Sequence, residues 1–292
     1  MTTLSVRHKT TYLYRRPVTF REHRLMSRPR DSHDLRLLNT WLRIDPPAAS
    51  VRWLHDVFGN SIALVNFNTA SDKLVFESGF RAEHFPAPPQ AIEVEPYAAT
   101  FPFNYSASDA IDLGGTNARH YPDPTHLVDA WAKDLVETTR GRGTLDVLVA
   151  MTMAIPYRFK YQSRETGGVQ TPLETLQLGT GSCRDYAVFM MEAARSMGLA
   201  ARFVSGYLYE EKLVGAAGGL LGGGATHAWV QIFLPGSGWV EFDPTNAIVG
   251  GRNLIRVAVA RDASQAVPLD GTFEGAADDF VSLSVEVEVT AE

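Results

Sequence analysis

The sequence contains very little cysteine, because Cys183 is the single cysteine among 292 residues. One thiol excludes an intrachain disulfide framework, and it also excludes a zinc or iron–sulfur centre built from several cysteines. Any chemistry of Cys183 must therefore use its sulfur together with side chains of other types.

Long apolar runs are missing as well. Residues 1–9 lack the apolar stretch that follows the basic start of a secretory signal. The weakly polar segment 213–225 contains six glycines and falls short of the roughly 20 apolar residues of a membrane helix. This segment also lacks the Gly-Lys-Ser/Thr ending of a phosphate-binding loop, so we interpret 215–224 as a connector or as a flap over a cleft. We expect a cytoplasmic protein with no membrane span and no nucleotide site.

A basic surface is absent too, since 27 Lys and Arg residues face 33 Asp and Glu residues and give a formal net charge of -6. This balance argues against nucleic acid as the main partner. The hydrophobic share of 45% is ordinary for a globular chain, and the length favours about two domains. We predict a β-rich N-terminal domain over 1–85, a proline-rich linker over 86–124 and an α+β core over 125–292 that ends in a strand.

The hydrophobic pattern changes character after the linker. Residues 4–85 alternate as strands do, and Gly59-Asn60 between the apolar runs 51–58 and 62–67 predicts a hairpin. Beyond the linker, caps at Thr125 and Thr144 predict helices. The elements predicted after these are a helix opened by the capping box at 171–174, a helix from Cys183 to a terminating Gly198, and strands over 199–209, 226–234, 239–243 and 281–289.

Cys183 therefore opens a helix, where unpaired N–H groups and the helix dipole stabilise a thiolate. A buried structural cysteine is the alternative on this evidence alone. His227 follows 44 residues later at the start of a predicted strand, and Asp243 follows His227 by 16 residues at the end of the next strand. A thiolate, an imidazole and an orienting carboxylate together form the set that thiol acyl transfer requires.

Four local motifs carry a specific resemblance. They are GSCRDYA at 181–187, ARSMGLAARFVSGY at 194–207, THAWV at 226–230 and GWVEFDPTN at 238–246. In this order they resemble the core of the transglutaminase-like superfamily, and the β-rich N-terminal half looks like the extra domain that precedes this core in bacterial members. The resemblance implies a papain-like α+β fold in which the helix bearing the cysteine packs on an antiparallel sheet.

By the same resemblance, Cys183 corresponds to the family nucleophile, His227 to the general base and acid, and Asp243 to the residue that orients the histidine. Tyr161 resembles an aromatic position that supplies an oxyanion donor, although a core tyrosine is an equal alternative. Trp229 and Asn246 are candidates for the substrate cleft, with a core position as the other interpretation of Trp229. The chain departs from the family at 260–264, where members with this N-terminal domain often show a Gly-Arg-Asp-Tyr-like stretch. No calcium loop rich in Asp and Glu is present, so we expect no metal and no cofactor.

Strand parity constrains how Asp243 can reach His227. A four-residue loop over 235–238 would pair Asp243 with Val230 and point its carboxylate to the wrong face. We therefore predict a bulge or an odd-length turn near 235–238, with Asn246 as the fallback orienter.

These observations favour a cysteine protease or amidase that cleaves an amide through a thioester on Cys183 and releases the acyl group to water. One alternative is a protein-glutamine transglutaminase, in which an amine replaces the water. Another is a peptide-binding module without turnover. The expected partner is a peptide or protein substrate, and the oligomeric state stays open.

Overall fold

The computed structural model describes residues 2–88, 91–164, 168–209, 220–221 and 224–291. Most of the glycine-rich segment 215–224 lies outside these residues, so the flap over a cleft stays a prediction. Within the described part of the chain, no helix is both long and apolar enough to cross a membrane.

One 27-residue strand, β1 (Thr2–Arg28), organises the N-terminal sheet. The other strands of this seven-stranded sheet are β2 (Leu35–Asp45), β3 (Ser50–His55), β4 (Ser61–Asn66), β5 (Ser71–His84), β13 (Leu269–Glu274) and β14 (Phe280–Ala291). The first half of β1 lies between β5 and β14, and its second half pairs with β4 and β13. The remaining strands extend the sheet at its edges, β2 against β5 and β3 against β4. The antiparallel pairing of β3 with β4 confirms the predicted hairpin.

The C-terminal strand joins the N-terminal sheet. The predicted strand over 281–289 is present, but it pairs with β1, where Val289 lies opposite Val6. Strands β13 and β14 therefore both belong to the N-terminal sheet, and Val287 of β14 also donates a backbone hydrogen bond of 3.3 Å to Gly224 of the core. Alternation of apolar and polar residues identifies a strand without identifying its neighbour. The domain boundaries near 85 and 124 stay predictions.

Five α-helices are described, and their caps follow local side-chain chemistry. They are α1 (Ala107–Leu113), α2 (Leu127–Thr138), α3 (Thr144–Arg158), α4 (Pro172–Leu178) and α5 (Cys183–Ser196). The capping box of α4 is confirmed, since Thr171 and Glu174 exchange hydrogen bonds with each other's backbone N–H. The predicted cap of α2 at Thr125 is wrong, because the carboxylate of Asp123 accepts the first helical N–H groups instead.

A second sheet supports α5. Its antiparallel order is β11 (Ile248–Val249), β10 (Gly238–Asp243), β9 (His227–Leu234), β8 (Ala201–Leu208) and β12 (Leu254–Ala260). Two short parallel strands, β6 (Lys160–Tyr161) and β7 (Thr180–Gly181), precede the helix. The even-numbered residues of β9, including Val230 and Ile232, share one apolar core with α5. Gly198 adopts φ +82° just after the helix, as its prediction as a terminator requires.

The turn between β9 and β10 decides which side chains share a face. Gly238 pairs with Leu234, so the loop contains three residues. The predicted odd-length turn is therefore confirmed. Trp239 pairs with Phe233 and Phe242 with Val230, and continuing this register brings Asp243 opposite Trp229, on the same face as His227. The even-numbered face packs on α5, which leaves the odd-numbered polar residues on the other side of the sheet.

Candidate active site

Cys183 is the first residue of α5 and is held there by its neighbours. The side chain of Asp185 accepts hydrogen bonds of 2.8 Å from both the backbone N–H and the hydroxyl of Ser182. Gly181 is required at this approach, because a Cβ there would lie 2.9 Å from the ring of Tyr186. Cys183 is buried, with 8% of its surface exposed. It lies at the N-terminal end of the helix, where the helix dipole favours an anion.

His227 and Asp243 form a buried pair beside the thiol. Nε2 of His227 donates to Oδ2 of Asp243 at 2.9 Å, and neither side chain has exposed surface. Nδ1 of the ring is buried and has no hydrogen-bond partner among the described residues. Because Asp243 occupies Nε2, Nδ1 is the nitrogen left for Cys183, which lies close enough to favour the charged ring.

The electrostatics of this pair favour an imidazolium. Burial acts against the charged ring, but the charge and hydrogen bond of Asp243, together with Cys183, raise the pKa of His227 to about 10. For Asp243, burial also opposes ionisation, and His227 with its other donors lowers the pKa below the usual range. Both shifts favour the ion pair, the state in which the ring can hold and return a proton.

Asp243 is itself fixed by two further donors. The backbone N–H of Thr245 and the Nδ2 of Asn246 each donate to its carboxylate at 2.8 Å. Asn246 also accepts from the backbone N–H of Leu221 at 2.8 Å. Asn246 therefore contacts Asp243 and not His227, so its prediction as a fallback orienter is not supported by the geometry. Its side chain is partly exposed, and its assignment to the substrate cleft stays a prediction.

Tyr161 lies near the thiol as well. It lies on β6 opposite Gly181, and Gly181 precedes Cys183 by two residues. Burial, followed by the negative charges of Cys183 and Asp243, raises the pKa of Tyr161 to about 12. A hydroxyl that stays protonated at neutral pH is able to donate a hydrogen bond, which is the chemistry an oxyanion donor needs. The role of Tyr161 as that donor stays a prediction.

Trp229 corrects the sequence analysis, because it has no exposed surface and so does not line an open cleft. Its ring stacks on the ring of His227, with centroids 6.0 Å apart and an interplanar angle of 26°. The indole Nε1 donates to Glu241, a residue that the sequence analysis missed. Parity offered a signal, since Glu241 and Asp243 lie two positions apart on the same face of β10.

Comparisons with known proteins agree with this arrangement. Residues 4–83 match the family described as the bacterial transglutaminase-like N-terminal region. Residues 130–244 match the transglutaminase-like superfamily model, and this match includes Cys183, His227 and Asp243. The chain therefore contains a transglutaminase-like core domain, preceded by a bacterial transglutaminase-like N-terminal region. Its α+β core, preceded by a β-rich N-terminal region, is the fold that the resemblance implies.

Two relatives and one solved structure align with nearly all of this chain. An uncharacterised protein of Mycobacterium leprae is 27% identical over 289 residues, with 98% of each chain covered. An uncharacterised protein of Mycobacterium tuberculosis is 28% identical over 291 residues, with 97% of this chain and 91% of the relative covered. The crystal structure of a candidate cysteine protease from Cytophaga hutchinsonii aligns over 99% of this chain and 90% of its own, with a TM-score of 0.71 and 18% identity. This last similarity shows that the two folds agree.

Among the described residues, no group of three or more His, Cys, Asp and Glu side chains is arranged to hold a metal ion. His227 hydrogen-bonds to Asp243 and lies beside Cys183. The arrangement is suited to proton transfer and nucleophilic attack by a thiolate.

Proposed function

We propose that this protein is a cysteine-dependent amide-cleaving enzyme, a protease or amidase. The observation that supports this most is the buried hydrogen bond of 2.9 Å between His227 and Asp243, which leaves Nδ1 for Cys183 at the start of α5. Cys183 is the proposed nucleophile, His227 the general base and acid, and Asp243 the residue that orients the ring.

The proposed reaction begins from the ion pair in which the proton of the Cys183 thiol already lies on Nδ1 of His227. The thiolate then attacks the amide carbonyl carbon and forms a tetrahedral intermediate with a negatively charged oxygen. Backbone N–H groups at the start of α5 and the hydroxyl of Tyr161 are the proposed donors to that oxygen. The imidazolium gives its proton to the leaving amine, the C–N bond breaks, and an acyl thioester remains on Cys183.

Hydrolysis of the thioester completes the cycle. His227 takes a proton from water, the resulting hydroxide attacks the thioester carbonyl, and the C–S bond breaks. The imidazolium then protonates the departing thiolate, so the products are a carboxylic acid and the original thiol. An amine in place of water would give the transglutaminase reaction, with the same groups in the same roles.

Intact-mass spectrometry with a library of peptides and small primary amides tests this proposal. We expect the wild-type chain to gain an acyl mass, equal to the substrate minus its amine, on Cys183. Cys183→Ala should gain none, and His227→Ala should gain almost none because both proton transfers need this ring. Release of the acyl group into water or into added methylamine distinguishes hydrolysis from amine transfer.

Alkylation by iodoacetamide is a second measurement that needs no substrate. A free thiol reacts faster as the pH rises through about 8.5, whereas a thiolate paired with an imidazolium reacts well at pH 6–7. Wild-type Cys183 that alkylates like a free thiol, unchanged by His227→Ala and without any acyl adduct, would contradict the proposed function and favour a non-catalytic binding module.

A further inference from the structure

A series of polar contacts, buried near His227 and partly exposed at its far end, leads away from this ring on the face of the sheet opposite α5. It begins at the indole of Trp229, whose ring stacks on His227 and whose Nε1 donates to Oε2 of Glu241. The other oxygen of Glu241 accepts 2.6 Å from Nε2 of Gln231 and 2.8 Å from Nη1 of Arg256. The reaction proposed above does not use Glu241, Gln231 or Arg256.

The series ends in the N-terminal half of the chain. Nη2 of Arg256 lies 3.2 Å from each carboxylate oxygen of Asp34. Asp34 immediately precedes β2, and Arg256 lies on β12. A carboxylate outside the core sheet is therefore joined, through Arg256, Glu241 and Trp229, to the ring of the proposed general base.

We propose that Glu241 is a positioning residue that fixes the plane of His227 through Trp229, and that Asp34 supports it through Arg256. This inference rests on the proposed function for its kinetic readout. Asp243 holds a single nitrogen of His227, so that bond alone leaves the ring able to tilt about it. The flat contact with Trp229 removes this freedom, provided that the indole is itself held at its far end.

The surroundings of Trp229 are built for one position of its ring. At position 206, on the neighbouring strand, a Cβ would lie 2.7 Å from the indole, so only glycine leaves room for it. Glu241 is 8% exposed, and burying a carboxylate is costly unless donors surround it. Burial raises the pKa of Glu241 even though Arg256, Trp229 and Gln231 act in the other direction. An apolar residue would fill this position at lower cost but would leave the indole N–H without a partner.

Glu241→Gln and Asp34→Asn test the proposal in the full-length protein. The matched control is Glu77→Gln, which removes a carboxylate bound to Arg7 at 2.7 Å within the N-terminal sheet, away from the series. With a substrate from the adduct screen, we expect Glu241→Gln to lower kcat by about tenfold to a hundredfold, because small misplacements of a reacting group are costly, with KM changed less than kcat. Asp34→Asn should act in the same direction more weakly, and Glu77→Gln should match the wild type.

NMR titration of the His227 ring gives a readout that needs no turnover. Loosening the ring weakens its hydrogen bond to Asp243, so we expect its titration midpoint to fall in Glu241→Gln and to stay unchanged in Glu77→Gln. Melting temperatures separate a general loss of stability from this specific effect. If Glu241→Gln melts earlier but keeps the wild-type kcat and the wild-type titration of His227, Glu241 is only structural and the inference is wrong. If the wild type forms no adduct and shows no enhanced alkylation, the proposed function fails, while a shifted His227 titration in Glu241→Gln would still support the positioning role.

Discussion

Removing the carboxylate of Asp243 is the most direct test of the buried pair. Asp243→Ala deletes the 2.9 Å bond to His227 and the acceptor used by Thr245 and Asn246. Burial is the largest single influence on the ring of His227, and it opposes the charged form. Without Asp243 we expect the pKa of His227 to fall from about 10 to below its ordinary value, so the ring is neutral at pH 7.

The expected kinetic loss follows from the role of the pair. A general base that is wrongly oriented and no longer stabilised as an imidazolium loses about 10²- to 10⁴-fold in kcat, which corresponds to about 3–5 kcal/mol in the activation free energy. Asp243→Asn should be intermediate, since the amide oxygen can still accept from Nε2 without supplying charge. Asn246→Ala should cost less than Asp243→Ala, because it removes one donor to Asp243 and leaves the His227 bond intact.

The pH dependence gives a second signature of the same change. A raised pKa in the folded state stabilises the fold fully below the unfolded value of 6.5, and this contribution is lost as the pH rises towards about 10. The free energy of unfolding of the wild type should therefore fall over this window by more than that of Asp243→Ala. Urea unfolding and alkylation of Cys183 across pH 6–10 measure both effects. Wild-type activity in Asp243→Ala beside a severe loss in Asn246→Ala would refute the assignment of Asp243 as the orienter.

Two other changes probe the surroundings of the pair. Tyr161→Phe should lower kcat by about 10²-fold if its hydroxyl stabilises the oxyanion, as measured by steady-state kinetics. Tyr121→Phe is the remote control, and equal kcat values in the two variants would contradict the role of Tyr161. Gly206→Ala introduces a Cβ 2.1 Å from the carbonyl oxygen of Ile255 and should lower the free energy of unfolding by about 3 kcal/mol. Gly251→Ala, whose Cβ would meet only Glu241 at 3.8 Å, is the control in urea unfolding, and similar losses in both variants would contradict the steric explanation.

Local sequence determined the helix ends and tight turns of this protein, because these features depend on residues that are close together along the chain. The capping box at Thr171, the terminating Gly198 and the hairpin at Gly59-Asn60 each depend on residues a few positions apart, and the structure contains all three. Parity predicted a bulge or an odd-length turn between β9 and β10, because either one brings Asp243 to the face of His227, and the structure has the odd-length turn. The motifs around Cys183 gave the superfamily and the fold.

Contacts between distant segments were decided only by the tertiary structure. The alternating pattern over 281–289 is compatible with a strand in the core sheet or in the N-terminal sheet. In the structure this strand pairs with β1. The burial of Trp229 depends on Gly206 and on the packing of Val204 and Leu254 from neighbouring strands, which strand periodicity alone does not reveal. The link from Glu241 through Arg256 to Asp34 spans 222 residues between its last two members, and packing of the two halves, not any pattern along the chain, brings these charges together.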